Sequence, residues 1–121
     1  MLLDSNIIIY GTETKYPELI DFLNNSRLSV SAISRVEVLG YHRLSDVNLV
    51  KLIAFFDLFE VLPIESQIID AAVSLRQQRK MSLGDAIIAG TAIAHEKTLV
   101  TRNVRDFQWI EGLRLYNPIN D

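Results

Sequence analysis

The chain has no cysteine, which excludes disulfides and thiolate-held metals and fits a reducing compartment without requiring one. Its opening residues, Met1-Leu2-Leu3-Asp4, lack the basic start and apolar core of a signal peptide. The longest near-apolar run, Ala86 to Ala94, falls well short of the roughly 20 residues that cross a bilayer. No internal repeat, linker or low-complexity tract is visible. Also missing is an excess of positive charge: 12 Lys and Arg stand against 15 Asp and Glu, a net charge of −3. A general nucleic-acid binder usually shows a basic balance. That objection weakens if a few of the acids serve a cation, because the remainder is then slightly basic and a divalent ion cancels local charge. These absences predict a soluble, cytoplasmic protein with no membrane segment.

The 121 residues that remain to be explained are 49% hydrophobic and 22% charged. That is the composition of one globular domain, here residues 1–121, with material for a core. Met1-Leu2-Leu3 reads as a short strand, and Asp4-Ser5-Asn6, all residues that cap helices, favours a short helix through Ile7-Ile8-Ile9-Tyr10. Pro17 starts a second helix running to about Asn24. Arg27 to Ser31 alternates as a strand continuing into Ala32-Ile33, and Ser34-Arg35-Val36-Glu37 reads as the box that opens the next helix. A helix follows Ser45-Asp46 to Phe56 or Asp57, then a strand over Phe59 to Leu62, and a helix over Ile64 to Arg79. The basic tail Arg76-Gln77-Gln78-Arg79-Lys80 suits the negative end of that helix. Ser82-Leu83-Gly84-Asp85 opens a helix whose small and apolar residues predict burial on most sides. Thr98 to Thr101 and Leu113 to Tyr116 are the last strands. Strands alternating with helices predict an α/β fold of three layers, α/β/α, around a mainly parallel sheet.

In such a sheet the carboxyl ends of the strands share one edge, where open α/β sheets place their ligands. Asp4 follows the first strand, Glu37 opens the helix after the second, and Asp106 opens the turn after the fourth. Asp85 heads the buried helix just before that fourth strand. Acids gathered this way repel, and a hard cation such as Mg²⁺ or Mn²⁺ relieves the repulsion. A metal so held positions water, lowers its pKa and neutralises charge developing on a phosphodiester. Taken singly, none of the four marks a site. Glu37, Asp85 and Asp106 each occupy the acid position of a cap box, which stabilises a helix with no further role. Their order along the chain is what gives the set meaning.

The motifs LDSNIII, ISRVEVLG, SLGDAIIAGTAI and LVTRNVRDF, in this order and spacing, resemble those of the PIN-domain ribonucleases, and among them the VapC-type toxins of bacterial and archaeal toxin–antitoxin pairs. The resemblance covers almost the whole chain. It implies that Asp4, Glu37, Asp85 and Asp106 bind metal, and that Thr101 and Asn103 are polar helpers beside Asp106. Ser5 stands where the family often has Thr, and Gly84 where it often has Ala. The reaction implied is metal-dependent hydrolysis of RNA by water, with inversion at phosphorus, leaving a 5′-phosphate and a 3′-hydroxyl. A cognate antitoxin and a homodimer are the implied partners, with the antitoxin's C-terminal segment lying on the apolar helices around Leu39 to Phe59.

Arg102 and Arg105 flank this site and are candidates to hold RNA phosphates, with solvated or helix-pairing roles as the alternative. Arg79 and Lys80 are better explained as a helix end, and Trp109 and Phe55-Phe56 as packing. His42 and His95 sit at no ligand spacing. Two other classes stay in view. One is a PIN-like scaffold that binds without cleaving. The other is a receiver-like phosphoacceptor module, which wants adjacent acids after the first strand, an acid after the third and a Lys after the fifth. Here Asp4 stands alone, Leu62-Pro63 follows the third strand and Asn117-Pro118 the fifth. A haloacid-dehalogenase-type phosphatase wants a second Asp two residues after the first, where this chain has Asn6.

Overall fold

A computed structural model describes residues 1–13, 15–24 and 26–119. The chain runs β1 (Leu2–Leu3), α1 (Ser5–Tyr10), α2 (Pro17–Asn24), β2 (Ser29–Ser31), α3 (Ala32–Leu39), α4 (Asp46–Phe56) and β3 (Glu60–Leu62). It continues through α5 (Ser66–Gln78), α6 (Leu83–Ala94), β4 (Leu99–Val100), α7 (Val104–Phe107) and β5 (Leu115–Tyr116). The five strands form one sheet in the order β3-β2-β1-β4-β5, and every pairing is parallel. This is the three-layer α/β arrangement expected from the alternation of elements.

The strands are very short, so each contributes one or two side chains per face, and alternation decides where they go. Leu3 and Val100 enter a core with Ile7, Ile8, Leu19 and Phe56, under α1, α2 and α4. Their neighbours Leu2 and Leu99 enter the opposite core with Ile88, Leu75 and Phe107, under α5, α6 and α7. Helices therefore cover both faces, as parallel sheets require. Among the described residues no helix is long and apolar enough to cross a membrane.

Most predicted boundaries agree to within two residues. One does not. The second strand stops at Ser31 instead of running into Ala32-Ile33, because the Ser31 hydroxyl accepts the Ile33 N–H at 3.2 Å and turns the backbone into α3. Ser34 is thus inside the helix rather than its cap, and Glu37 lies a turn deeper than the acid position of a cap box. Helix-end stabilisation no longer accounts for Glu37. A smaller correction concerns α5, which ends at Gln78 with Arg79 already extended. Only Arg76 lies in its last turn, and Arg79 and Lys80 belong to the connection to α6.

The helix α6 is buried on most sides, as its composition requires: Ala86, Ile88, Ala89, Gly90, Thr91 and Ala92 are all inaccessible. Gly90 lies directly against the backbone of α5. A Cβ there would stand 3.1 Å from the Ile68 carbonyl oxygen and 3.3 Å from the Ala72 nitrogen. Both are backbone atoms, which yield little. A Gly90→Leu variant must therefore separate α5 from α6, and its urea midpoint is expected to fall by the equivalent of roughly 3 kcal/mol, the upper end of the overpacking range. An unchanged midpoint would show that the two helices are not packed this closely.

Candidate active site

The strand order reverses between β1 and β4: from the central β1 the chain moves outward through β2 and β3, then returns to the other side. The crevice beyond the carboxyl ends of these two strands is where a sheet of this kind opens to a ligand. Asp4 is the first residue past β1. Its N–H extends the ladder to the Val100 carbonyl at 2.9 Å, which fixes its backbone, and its side chain is only 4% exposed. Thr101, the first residue past β4, is fully buried. Its hydroxyl donates to Asp4 Oδ2 at 2.8 Å and accepts the Asn103 N–H at 3.0 Å. One hydroxyl therefore binds the two strand ends together across the reversal point.

Glu37 reaches the same crevice from α3. Ser5 Oγ lies 2.8 Å from Glu37 Oε1 and 2.9 Å from Ser34 Oγ. With a single proton, Ser5 donates to the carboxylate and accepts from Ser34. The other Glu37 oxygen occupies the space that a Cβ at Gly84 would need, so the absence of a side chain at Gly84 lets the carboxylate lie against the start of α6. Asp85 sits half-buried on that first turn, its N–H donating to Ser82 Oγ at 3.1 Å. This cap box forms as the sequence predicts. Asp106 is exposed on α7, its N–H bonded to the Asn103 carbonyl at 3.1 Å. The Asn103 side chain makes no cap bond.

The acids feel one another. Burial is the main cause that lifts the Asp4 pKa from 3.8 to about 6; the Thr101 hydrogen bond opposes it, and the charges of Asp85 and Glu37 add to it. Asp85 is also raised, chiefly by burial, with the Ser82 hydroxyl pulling down and Asp106 and Glu37 pushing up. Asp85 is thus the hub that interacts with the other three. Even so, among the described residues no three His, Asp or Glu side chains close into a preassembled metal cluster. The donor set still suits a hard cation. All the donors are carboxylate oxygens, and Mg²⁺ keeps several of its waters while using one or two carboxylates, so an open set suits it better than a tight cage.

The structure places the expected helpers differently. Thr101 serves Asp4, not Asp106. Arg102 is occupied: its guanidinium lies 5.4 Å from the Tyr10 ring and 5.5 Å from the Tyr16 ring, and it donates to the Tyr16 hydroxyl at 3.0 Å. Arg105 is exposed and lines the cleft that contains Asp85 and Asp106. Sequence reasoning missed the Ser5–Ser34 relay to Glu37 and the accommodating role of Gly84. Neither has a signal along the chain, since both depend on α3 meeting α1 and α6. His42 is exposed and His95 ends α6, and neither lines the clefts that contain Glu37, Asp85 and Asp106.

Comparison with known proteins adds the following. A sequence model of the PIN domain matches residues 1–112. Ribonuclease VapC1 of Rickettsia felis is 33% identical, over 95% of this chain and 93% of that protein. The toxin–antitoxin complex from Klebsiella pneumoniae contains a chain 30% identical, with a TM-score of 0.78 over 99% of this chain and 98% of that one. VapBC2 from Rickettsia felis, crystallised with a DNA fragment from its promoter, superposes with a TM-score of 0.84 at 25% identity, covering 96% of each chain.

Electrostatics of this kind have a measurable cost. A folded-state pKa of about 6 for Asp4 against an unfolded value near 3.9 means that ionised Asp4 opposes folding. Stability is unaffected below about pH 4, declines as pH rises to about 6, and stays reduced above that. Asp4→Asn removes the charge and keeps an oxygen for the Thr101 hydroxyl. In EDTA at pH 7.5 it is expected to raise the unfolding free energy by as much as about 3 kcal/mol, with the gain vanishing near pH 4. A gain that did not depend on pH would mean that charge burial at Asp4 is not the cause.

Proposed function

The chain belongs to the PIN-domain family, as a homologue of the VapC ribonuclease toxins, and from that premise we propose that it is an Mg²⁺- or Mn²⁺-dependent endoribonuclease restrained by a cognate antitoxin. The observation that carries the reading is where the acids stand at the reversal point of the sheet: Asp4 past β1 and held by Thr101, Glu37 held by Ser5 against the start of α6, and Asp85 on that first turn sharing a cleft with Asp106.

Asp4, Asp85 and Asp106 would hold the ion, directly or through water. When bound, the ion supplies a water of lowered pKa and offsets the charge that develops on a phosphodiester. This chain's residues do the rest. Thr101 keeps the Asp4 carboxylate turned toward the crevice, and its bond to the Asn103 N–H sets the path of the loop that leads to Asp106. Glu37, held by Ser5, would orient the attacking water for in-line displacement. Hydrolysis by water inverts phosphorus and leaves a 5′-phosphate and a 3′-hydroxyl.

An exposed apolar surface supports the partner. Val47, Val50 and Ile53 of α4, and Leu58 just after it, are 44–75% exposed. Beside them a cleft of about 540 Å³ runs between α1, α3 and α4, lined by Ile9, Tyr41 and Leu44 among others. Contiguous apolar surface of this kind marks a protein contact. The antitoxin segment is assigned to it, since relatives were solved as toxin–antitoxin complexes. A homodimer, a single domain over 1–121 and a cytoplasmic location complete the proposal. One second reading is a PIN-like scaffold that binds RNA without cutting it, which the basic cleft beside Asp85 and Asp106, lined by Arg76, Arg79, Lys80 and Arg105, would serve equally.

Antitoxin-free protein incubated with total RNA distinguishes the two. Cleavage is expected with Mn²⁺ and not with EDTA, and Asp4→Asn and Asp85→Asn are each expected to lose at least roughly a hundredfold in rate, as removal of metal support does. Equal cleavage by wild type and both variants would end the assignment. Retained RNA binding without any cleavage in Mn²⁺ would establish the scaffold.

A further inference from the structure

The chain carries a net charge of −3 with 12 basic residues, yet four of them, Arg76, Arg79, Lys80 and Arg105, line one cleft of about 620 Å³. Its remaining walls include Asp85, Asp106 and Trp109, so the basic groups adjoin two of the four site acids. Three separate elements contribute. Arg76 comes from the last turn of α5, and its Nε donates to the Met81 carbonyl at 3.3 Å, which braces the connection to α6. Arg79 and Lys80 come from that connection, and Arg105 from α7. A helix-end role explains only the first of them.

Trp109 is the chain's one tryptophan. Part of it packs against the core beneath α6, and the rest faces the cleft. Its indole N–H donates to the Asp106 carbonyl at 3.0 Å, so the ring is fixed to the backbone of a residue whose side chain is a site acid. The Arg79 guanidinium lies over the same ring, 5.5 Å from its centre. An indole and a guanidinium arranged together form a stacking surface with phosphate donors at its edge, the combination that receives unpaired bases.

We infer that this cleft receives the unpaired RNA on one side of the scissile phosphate, with a base stacked on Trp109 and the adjoining phosphates held by Arg79, Lys80 and Arg105. The inference rests on the ribonuclease reading of the neighbouring acids. It also explains how an acidic protein engages a polyanion: the positive charge is concentrated where the strand passes.

Because Trp109 is the only tryptophan, its fluorescence reports on the cleft directly. A single-stranded RNA oligonucleotide titrated into the wild-type protein in EDTA, where no cleavage occurs, is expected to quench it. Arg79→Gln and Lys80→Gln, both at exposed positions, are each expected to weaken binding several-fold and to reduce the slope of log affinity against log salt by about 0.7. Trp109→Leu is expected to weaken binding about tenfold, and Trp109→Phe to recover part of that loss. In Mn²⁺ the two charge variants are expected to raise KM and leave kcat nearly unchanged. Absence of quenching, unaltered affinity in Arg79→Gln and Lys80→Gln, or equal quenching by duplex RNA would overturn the assignment of the cleft. Cleavage and quenching fail separately. Lost quenching with intact Mn²⁺-dependent cleavage removes the cleft alone, whereas quenching without cleavage in any metal removes the nuclease reading and keeps the cleft as a binding site.

Discussion

The structure is built around a carboxylate buried where it is least comfortable. Asp4 follows the central strand at the point where the sheet changes direction, and two neighbouring acids oppose its ionisation. The backbone leaves it little choice of position, because its N–H is part of the β1–β4 ladder. Two protein groups favour its charge, the Thr101 hydroxyl, itself fully buried, and the Ser5 backbone N–H. A well-packed sheet and an unfavourable charge therefore share the same few atoms. Such a conflict is expected at a functional site, where local stability is given up for chemistry.

The surroundings make that charge tolerable without neutralising it. Ser5 and Ser34 hold Glu37 from one side, and Gly84 leaves room for its other oxygen. Ser82 caps α6 and draws Asp85 toward the ionised form. These are hydroxyl and backbone contacts rather than ion pairs, so they hold the carboxylates in place without removing their charge. Arg102 lies close in sequence but is taken up by Tyr10 and Tyr16, where it joins the loop after β4 to the α1–α2 region instead of offsetting the acids.

Two surfaces extend from this centre in different directions. The face of α4 is apolar and exposed, suited to a protein segment. The cleft between α5, α6 and α7 is basic with an aromatic floor, suited to a nucleic-acid strand. Glu37 lines the first cleft and Asp85 and Asp106 the second, so the two surfaces border different members of the same set of acids.

The sequence by itself determined the element order and a mainly parallel sheet, because those follow from hydrophobic periodicity and cap boxes, and it nominated four acids for one edge of that sheet from the order of their motifs along the chain. It also allowed each acid a purely local role, and at Asp85 that role is real, since the Ser82 box forms as written. Only the folded chain chose between two equally local caps, Ser31 and Ser34, and so placed Glu37 beyond the helix end. Only it decided that Thr101 serves an aspartate 97 positions away, that Arg102 is engaged while Arg105 is exposed, and that Trp109 and Arg79 share a cleft with Asp85. The physical reason is range. Capping and periodicity act over three or four residues and are legible in the chain, whereas burial, charge repulsion and stacking depend on which distant segments the sheet brings side by side.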